Sequence, residues 1–282
     1  MYSSKTIFKH SFTLIELMFA MAISTAIVCI LISIVGLIEK SMKRSSQIMT
    51  TSAKARFVFD RIGNDLKKMP QRTDIDYRMT NNVTREDFLR FITQIKSPEA
   101  DRNLSLVGYK IQSDTNGVFG IYRGVHGYHW SDIGFMGINA QGTVPNLMKL
   151  PSVLNLSDDE YELIMPGVLK VGLAFQYKND GIIYRAPPFY PRGTNTSITF
   201  LQITNISSIV LGMVVMDLKN ERPLTEDISN QLANVFTGAP EGITPLPHWN
   251  TNLELQLSKH SDEIIKSFAK SIQIYQRFYP LE

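Results

Sequence analysis

No residue from Leu17 to Ile38 carries a charge, and that run constrains the fold of this chain more than any other feature. It lies within Ser11–Ile38, SFTLIELMFAMAISTAIVCILISIVGLI. A helix needs about 20 consecutive apolar residues to cross the ~30 Å hydrocarbon core of a bilayer, and this run suffices. The exception stands at its threshold: Glu16 follows Phe12 inside the apolar block. A carboxylate near lipid depth costs roughly 2.5 kcal/mol or more, so it marks a dedicated partner rather than a plain anchor.

Beyond this run the 282 residues leave room for one large globular domain or two small ones. Hydrophobic residues at 44% and charged residues at 20% describe an ordinary folded protein. The formal net charge is +3; without Lys5 and Lys9 the 29 basic residues fall to 27 against 26 acidic, a net of +1. No global basic field is therefore available for nucleic-acid phosphates, and no nucleic-acid partner is expected. The single cysteine, Cys29, lies in the apolar run, which excludes an intramolecular disulfide and leaves a small lipid-facing or helix-facing residue.

An ordinary secretory signal has an apolar core of about 7–15 residues and a small-x-small cleavage site. This run is longer and no such site follows it, although an uncleaved signal anchor stays open. Lys5 and Lys9 precede the run while Lys40, Lys43 and Arg44 follow it, so flanking charge alone does not fix its orientation.

The helical pattern continues past Ile38. Ala55, Phe59, Ile62, Leu66 and Met69 form one stripe on a 3.6-residue helix. Arg56, Asp60, Arg61, Asn64, Asp65, Lys67 and Lys68 fill the other faces, and Pro70 stops the run. One helix from Phe12 to Met69 is about 87 Å long at 1.5 Å per residue, far more than one bilayer. The second half then needs a sheet to cover its stripe. Two helices hinged near Ser41–Ser46 are the alternative.

Phe12-Thr13-Leu14-Ile15-Glu16-Leu17, preceded by a short basic segment and followed by the apolar helix, resembles the start of type IV pilins and type II secretion pseudopilins. Ala55–Leu66 is similar to the end of the helix in J-type minor pseudopilins and W-type minor pilins. The resemblance implies that residues 1–11 are a leader, removed by prepilin peptidase between Ser11 and Phe12, where the family has glycine before the cut. It implies N-methylation of Phe12 and pairing of Glu16 with a neighbouring subunit's amine during assembly. It further implies an α+β, pilin-like fold: a membrane and spine helix over residues 12–69, packed on an antiparallel β-sheet head over residues 70–282. The partners implied are other pilin or pseudopilin subunits, prepilin peptidase, an inner-membrane assembly platform and membrane lipid. The implied location is the bacterial inner membrane, single-pass, with the head in the periplasm.

Along the head, Thr84, Asp87, Phe88, Leu89, Phe91, Ile92 and Ile95 suggest a short capped helix ending before Ser97-Pro98. Leu104–Ile111 and Val118–Arg123 flank Asp114-Thr115-Asn116-Gly117 as a hairpin. Gly124–Gly142 reads as a surface loop rich in glycine and aromatics. Val168–Tyr177 alternates as a strand, followed by a turn into Ile182–Arg185. The apolar Ile209–Asp217 reads as a central strand. Thr225, Ile228, Leu232, Val235 and Phe236 suggest a helix with an N-cap. Gly238–Pro247 reads as a proline-rich loop, Asn252–Ser267 as helical, and Ser271–Tyr279 as a strand closing the sheet.

His126 and His129 have a spacing that serves a metal on a helix, but glycines flank them and no third ligand is near. Asp158-Asp159-Glu160 can be read as a calcium set, which some pseudopilins have, or as a solvated turn capped by Ser157. It lacks the alternate spacing and glycine of a calcium loop. His248 and His260 stand alone in sequence. No nucleophile-elbow, zinc-protease or phosphate-loop motif occurs. No catalytic or metal-ligating set is assigned, no cofactor is expected, and the chain is read as a structural subunit rather than an enzyme. The residues that carry this reading are Ser11 and Phe12 for processing and Glu16 for assembly.

Overall fold

In the computed structural model the described residues are 13–70, 77–79, 87–97, 101, 103–113, 118–128, 156–178, 181, 183–184, 206–216, 226–236, 242–259 and 271–281. Helix α1 runs unbroken over Leu14–Lys67. The hinge alternative at Ser41–Ser46 is thereby set aside. By compactness the chain divides into Met1–Thr50 and Thr51–Glu282, so α1 contributes residues to both units.

In the first unit, every described residue from Leu14 to Val35 is exposed, including the large apolar ones. The polar groups in this stretch are satisfied inside the helix: Thr25 Oγ1 donates to the Met21 carbonyl at 2.8 Å and Ser33 Oγ to that of Cys29 at 2.9 Å. By length and composition this helix can cross a membrane.

The second unit is α+β. Among its described residues there are two antiparallel sheets. The first orders β1 (Arg78–Met79), β2 (Asp87–Thr93), β3 (Ser105–Ser113), β4 (Phe119–Gly127) and β5 (Tyr161–Pro166) side by side. The second has the order β7 (Ile183–Tyr184), β6 (Val168–Tyr177), β8 (Ile206–Met216) and β9 (Ile272–Pro280). The chain passes from one sheet to the other at Gly167, whose φ of 83° suits a residue without Cβ. Its N–H donates to the Phe119 carbonyl at 2.7 Å, and its own carbonyl accepts from Met216 N–H at 2.8 Å.

The stripe Ala55, Phe59, Ile62, Leu66, with Val58, is buried against both sheets. It meets Phe91, Val107 and Ile121 from the first and Leu173, Phe175, Ile209 and Tyr279 from the second. Gly63 lets the Tyr279 ring close on the helix; a Cβ at that position lies 2.8 Å from Tyr279 Cε1. The Tyr279 hydroxyl donates to the Phe59 carbonyl at 2.8 Å, Ser52 Oγ and the Tyr275 hydroxyl are 2.9 Å apart, and Arg277 pairs with Asp60. Strand β9 is thus fastened along one side of the helix.

The opposite face of the second sheet is covered by α2 (Glu226–Val235) and α3 (Pro245–Lys259), through Leu232, Phe236 and Trp249 against Leu169, Val214 and Ile272. Gly172 and Gly212 are cross-strand partners, and together they open a slot for the Trp249 ring and Pro245.

Three expectations are corrected. Asp87–Thr93 is a strand, not a helix. Both of its faces are covered, with Leu89 and Phe91 toward α1 and Ile92 in a smaller cluster beneath Tyr128 and Leu156. Phe88 joins the α1 side where the register shifts between Asp87 and Leu89. A doubly buried strand with a bulge places apolar residues on both faces, and Phe88-Leu89 and Phe91-Ile92 around Arg90 imitate the spacing of a helix. Second, Gly124–Gly127 belongs to β4 rather than to a loop, while 129–142 lies outside the described residues. Third, α3 begins at Pro245, inside the expected loop. Proline at the first helical positions loses no intrahelical donor and brings a suitable φ. Thr84, the turn at 114–117, Thr225 and 260–270 lie outside the described residues.

Candidate functional site

The helix begins where Thr13 and Glu16 engage each other. Thr13 N–H donates to Glu16 Oε2 at 2.9 Å, the Thr13 hydroxyl donates to the same oxygen at 3.0 Å, and Glu16 N–H reaches Thr13 Oγ1 at 3.4 Å. This is a capping box: the threonine and the glutamate three residues on satisfy each other's backbone donors. A carboxylate in the first turn also faces the positive end of the helix dipole. Glu16 therefore holds the start of α1 in addition to any intermolecular role. The T-x-x-E spacing of Thr13 and Glu16 carries that signal in the sequence, beside the stronger signal of the apolar run. Ser11 and Phe12 lie outside the described residues, and Cys29 is exposed.

In the second unit the acidic run Asp158-Asp159-Glu160 is a short 3-10 turn latched to the first sheet. Asp158 Oδ1 lies 2.5 Å from Lys110 Nζ on β3, and that ammonium sits 3.8 Å above the Tyr161 ring. Glu160 Oε1 lies 2.5 Å from His126 Nδ1, while its Oε2 accepts from Ser157 N–H at 2.7 Å and Ser157 Oγ at 2.8 Å. Partial burial opposes the Glu160 charge, but His126 and Ser157 prevail and hold its carboxyl below the ordinary value. The expected cap at Ser157 is present. His126 stacks edge-on to Tyr128 at 5.4 Å between ring centres. His129 lies outside the described residues. Among the described residues no three His, Cys, Asp or Glu side chains converge as a metal-ligand set. His248 lies 3.1 Å from the Asn252 amide on α3, and His260 is outside the described residues.

A third constellation was not anticipated. Asp65, assigned by periodicity to the polar faces of α1, is 2% exposed. Its Oδ2 accepts from the Tyr109 hydroxyl at 2.5 Å and from Arg123 Nε at 2.7 Å, and its carbonyl accepts from Thr93 Oγ1 at 3.3 Å. Burial disfavours the charge on Arg123, yet Asp65 outweighs it and strengthens the guanidinium's hold on its proton. The triad Asp65, Tyr109 and Arg123 ties the end of α1 to β3 and β4, and Thr93 adds β2. Its members are satisfied by one another, which is the arrangement of a structural tie rather than of a site awaiting a ligand.

No family model, no curated protein and no solved structure matches this chain.

Proposed function

We propose that this chain is a minor pilin-like (pseudopilin) structural subunit that assembles into, or caps, a type II secretion or type IV pilus filament. The observation that carries the reading is Glu16. It is the one carboxylate at the head of a long uncharged run, in the part of α1, Leu14–Val35, whose apolar side chains are all exposed. A solitary buried-membrane carboxylate gains most from a cation on the next subunit, because pairing strengthens in low dielectric. Apolar helices then stack in the filament core. Support also comes from Phe12–Leu17, from the basic segment ahead of it, and from residues 51–67 of α1 packed on antiparallel sheets. In this reading the chain sits in the bacterial inner membrane with its sheets in the periplasm.

Two measurements test it. Intact mass of the membrane-extracted protein, expressed with and without prepilin peptidase, is expected to show loss of residues 1–11 and a methylated Phe12 only when the peptidase is present. Retention of the leader beside the native peptidase favours a signal-anchored periplasmic domain instead. Glu16→Ala is expected to insert into the membrane normally and to be absent from the filament; normal co-assembly of that variant refutes the assembly role.

A further inference from the structure

We infer that Lys40, Lys43 and Arg44 form a face that binds the anionic phospholipid headgroups bordering the apolar helix, an inference that rests on the membrane-spanning part of the function proposed above. The charges in this region are an island. Leu17–Ile38 is uncharged, Glu39, Lys40, Lys43 and Arg44 follow, and Ser45–Ala53 is uncharged again. The three cations stand at i, i+3 and i+4 on the continuous helix α1, so they share one face. All three are exposed.

Three cations among the described residues of the second unit have carboxylate partners: Arg123 has Asp65, Lys110 has Asp158 and Arg277 has Asp60. Among the described residues none of Lys40, Lys43 and Arg44 is in an ion pair. Glu39 precedes Lys43 by one helical turn and offsets part of the field, leaving three cations against one acid, a net of +2. Like charges stacked on one helix face weaken the helix unless an anion meets them.

Depth selects the anion. At 1.5 Å per residue Leu17–Ile38 spans about 33 Å, close to the ~30 Å hydrocarbon thickness. The cations then fall roughly 3–9 Å beyond Ile38, inside the headgroup layer. Lysine and arginine stems run along apolar surface and release their charge at that level. Phosphodiesters are fixed there at high density, and the Arg44 fork can bind one through two donors.

The test uses the full chain reconstituted in phosphatidylcholine vesicles, doped with either spin-labelled phosphatidylglycerol or spin-labelled phosphatidylcholine. The motionally restricted lipid fraction is read by electron paramagnetic resonance. The expected result is a larger restricted fraction for phosphatidylglycerol. The preference falls roughly fivefold for each cation neutralised in the series Lys40→Gln, Lys43→Gln, Arg44→Gln, and it weakens with added salt. Equal restriction of the two lipids by the unaltered chain, or a preference that survives the triple substitution, overturns the inference. Absence of a restricted fraction for both lipids overturns it together with the spanning reading. Processing at Phe12, measured separately, does not depend on either outcome.

Discussion

The Tyr109 hydroxyl donates to Oδ2 of Asp65 at 2.5 Å, joining the middle of the first sheet to the last turns of α1 where neither group meets water. With Arg123 on the same oxygen, the carboxylate compensates a guanidinium whose side chain is nine-tenths buried. Asp65→Asn leaves that cation uncompensated and is expected to destabilise the second unit by about 3–5 kcal/mol. Guanidinium unfolding of the full chain in mild detergent measures it. The double variant Asp65→Leu with Arg123→Met recovers most of the loss, because an apolar pair leaves no stranded charge. A single variant as stable as the parent refutes the role assigned to the pair.

Alkaline titration offers a separate check. Burial, reinforced by Asp65, raises the Tyr109 hydroxyl well above the ordinary tyrosine value, and burial does the same to Tyr279. A raised folded-state value means that the fold favours the protonated form. The contribution is complete below about pH 10 and is lost as pH rises beyond it. Tyrosinate absorbance of the parent and of Tyr109→Phe is expected to coincide while the protein is folded and to differ by one tyrosine after unfolding. A difference that develops before loss of the circular dichroism signal contradicts the burial described.

Gly63→Ala probes the contact between α1 and β9. The added Cβ lies 2.8 Å from Cε1 and 3.2 Å from Cδ1 of Tyr279, whose ring cannot withdraw without giving up its hydrogen bond to Phe59. The expected cost is about 1–3 kcal/mol, the usual range for overpacking. Combining it with Tyr279→Leu removes the clash, so the two effects fall short of additivity in a double-mutant cycle. Additive losses are evidence against the contact.

The latch at Glu160 predicts an acid-side dependence. Its carboxyl is held below the ordinary 4.5, so its stabilising contribution is present above about pH 4.5 and is lost as pH falls through the lower folded-state value. Glu160→Gln is expected to flatten the acid limb of the stability profile. Ser157→Ala removes one of the two Ser157 donors and costs about 1 kcal/mol, as loss of a cap does. Identical acid limbs for parent and Glu160→Gln contradict the assignment.

The elements that emerged from the sequence are those whose burial is one-sided. The stripe Ala55–Leu66 buries one face of α1, and in Val168–Tyr177 the only half-buried residues, Lys170 and Gln176, share one face, which writes a period into the chain. Central strand Ile206–Met216, covered on both faces, remained legible because its apolar run is too long to mistake. Asp87–Thr93 was not: covered on both faces and interrupted by a bulge, it has no period to read. Glu16 stood out because it breaks an apolar run. Asp65 did not, since its partners Tyr109 and Arg123 lie 44 and 58 residues away and only the fold brings them to it. The same distance hid the pairing of Lys110 with Asp158, 48 residues apart.

The slot beneath Trp249 has a consequence for how the second sheet assembles. Gly172 and Gly212 face each other only in the observed alignment of β6 with β8. Slide one strand by two residues and side chains of Ala174, Val210 or Val214 replace a glycine beneath the indole, leaving no room for the ring. Helix α3 can dock only on a correctly aligned pair. The glycines therefore act as a gauge: docking of the tryptophan and the alignment of β6 with β8 stand or fall together.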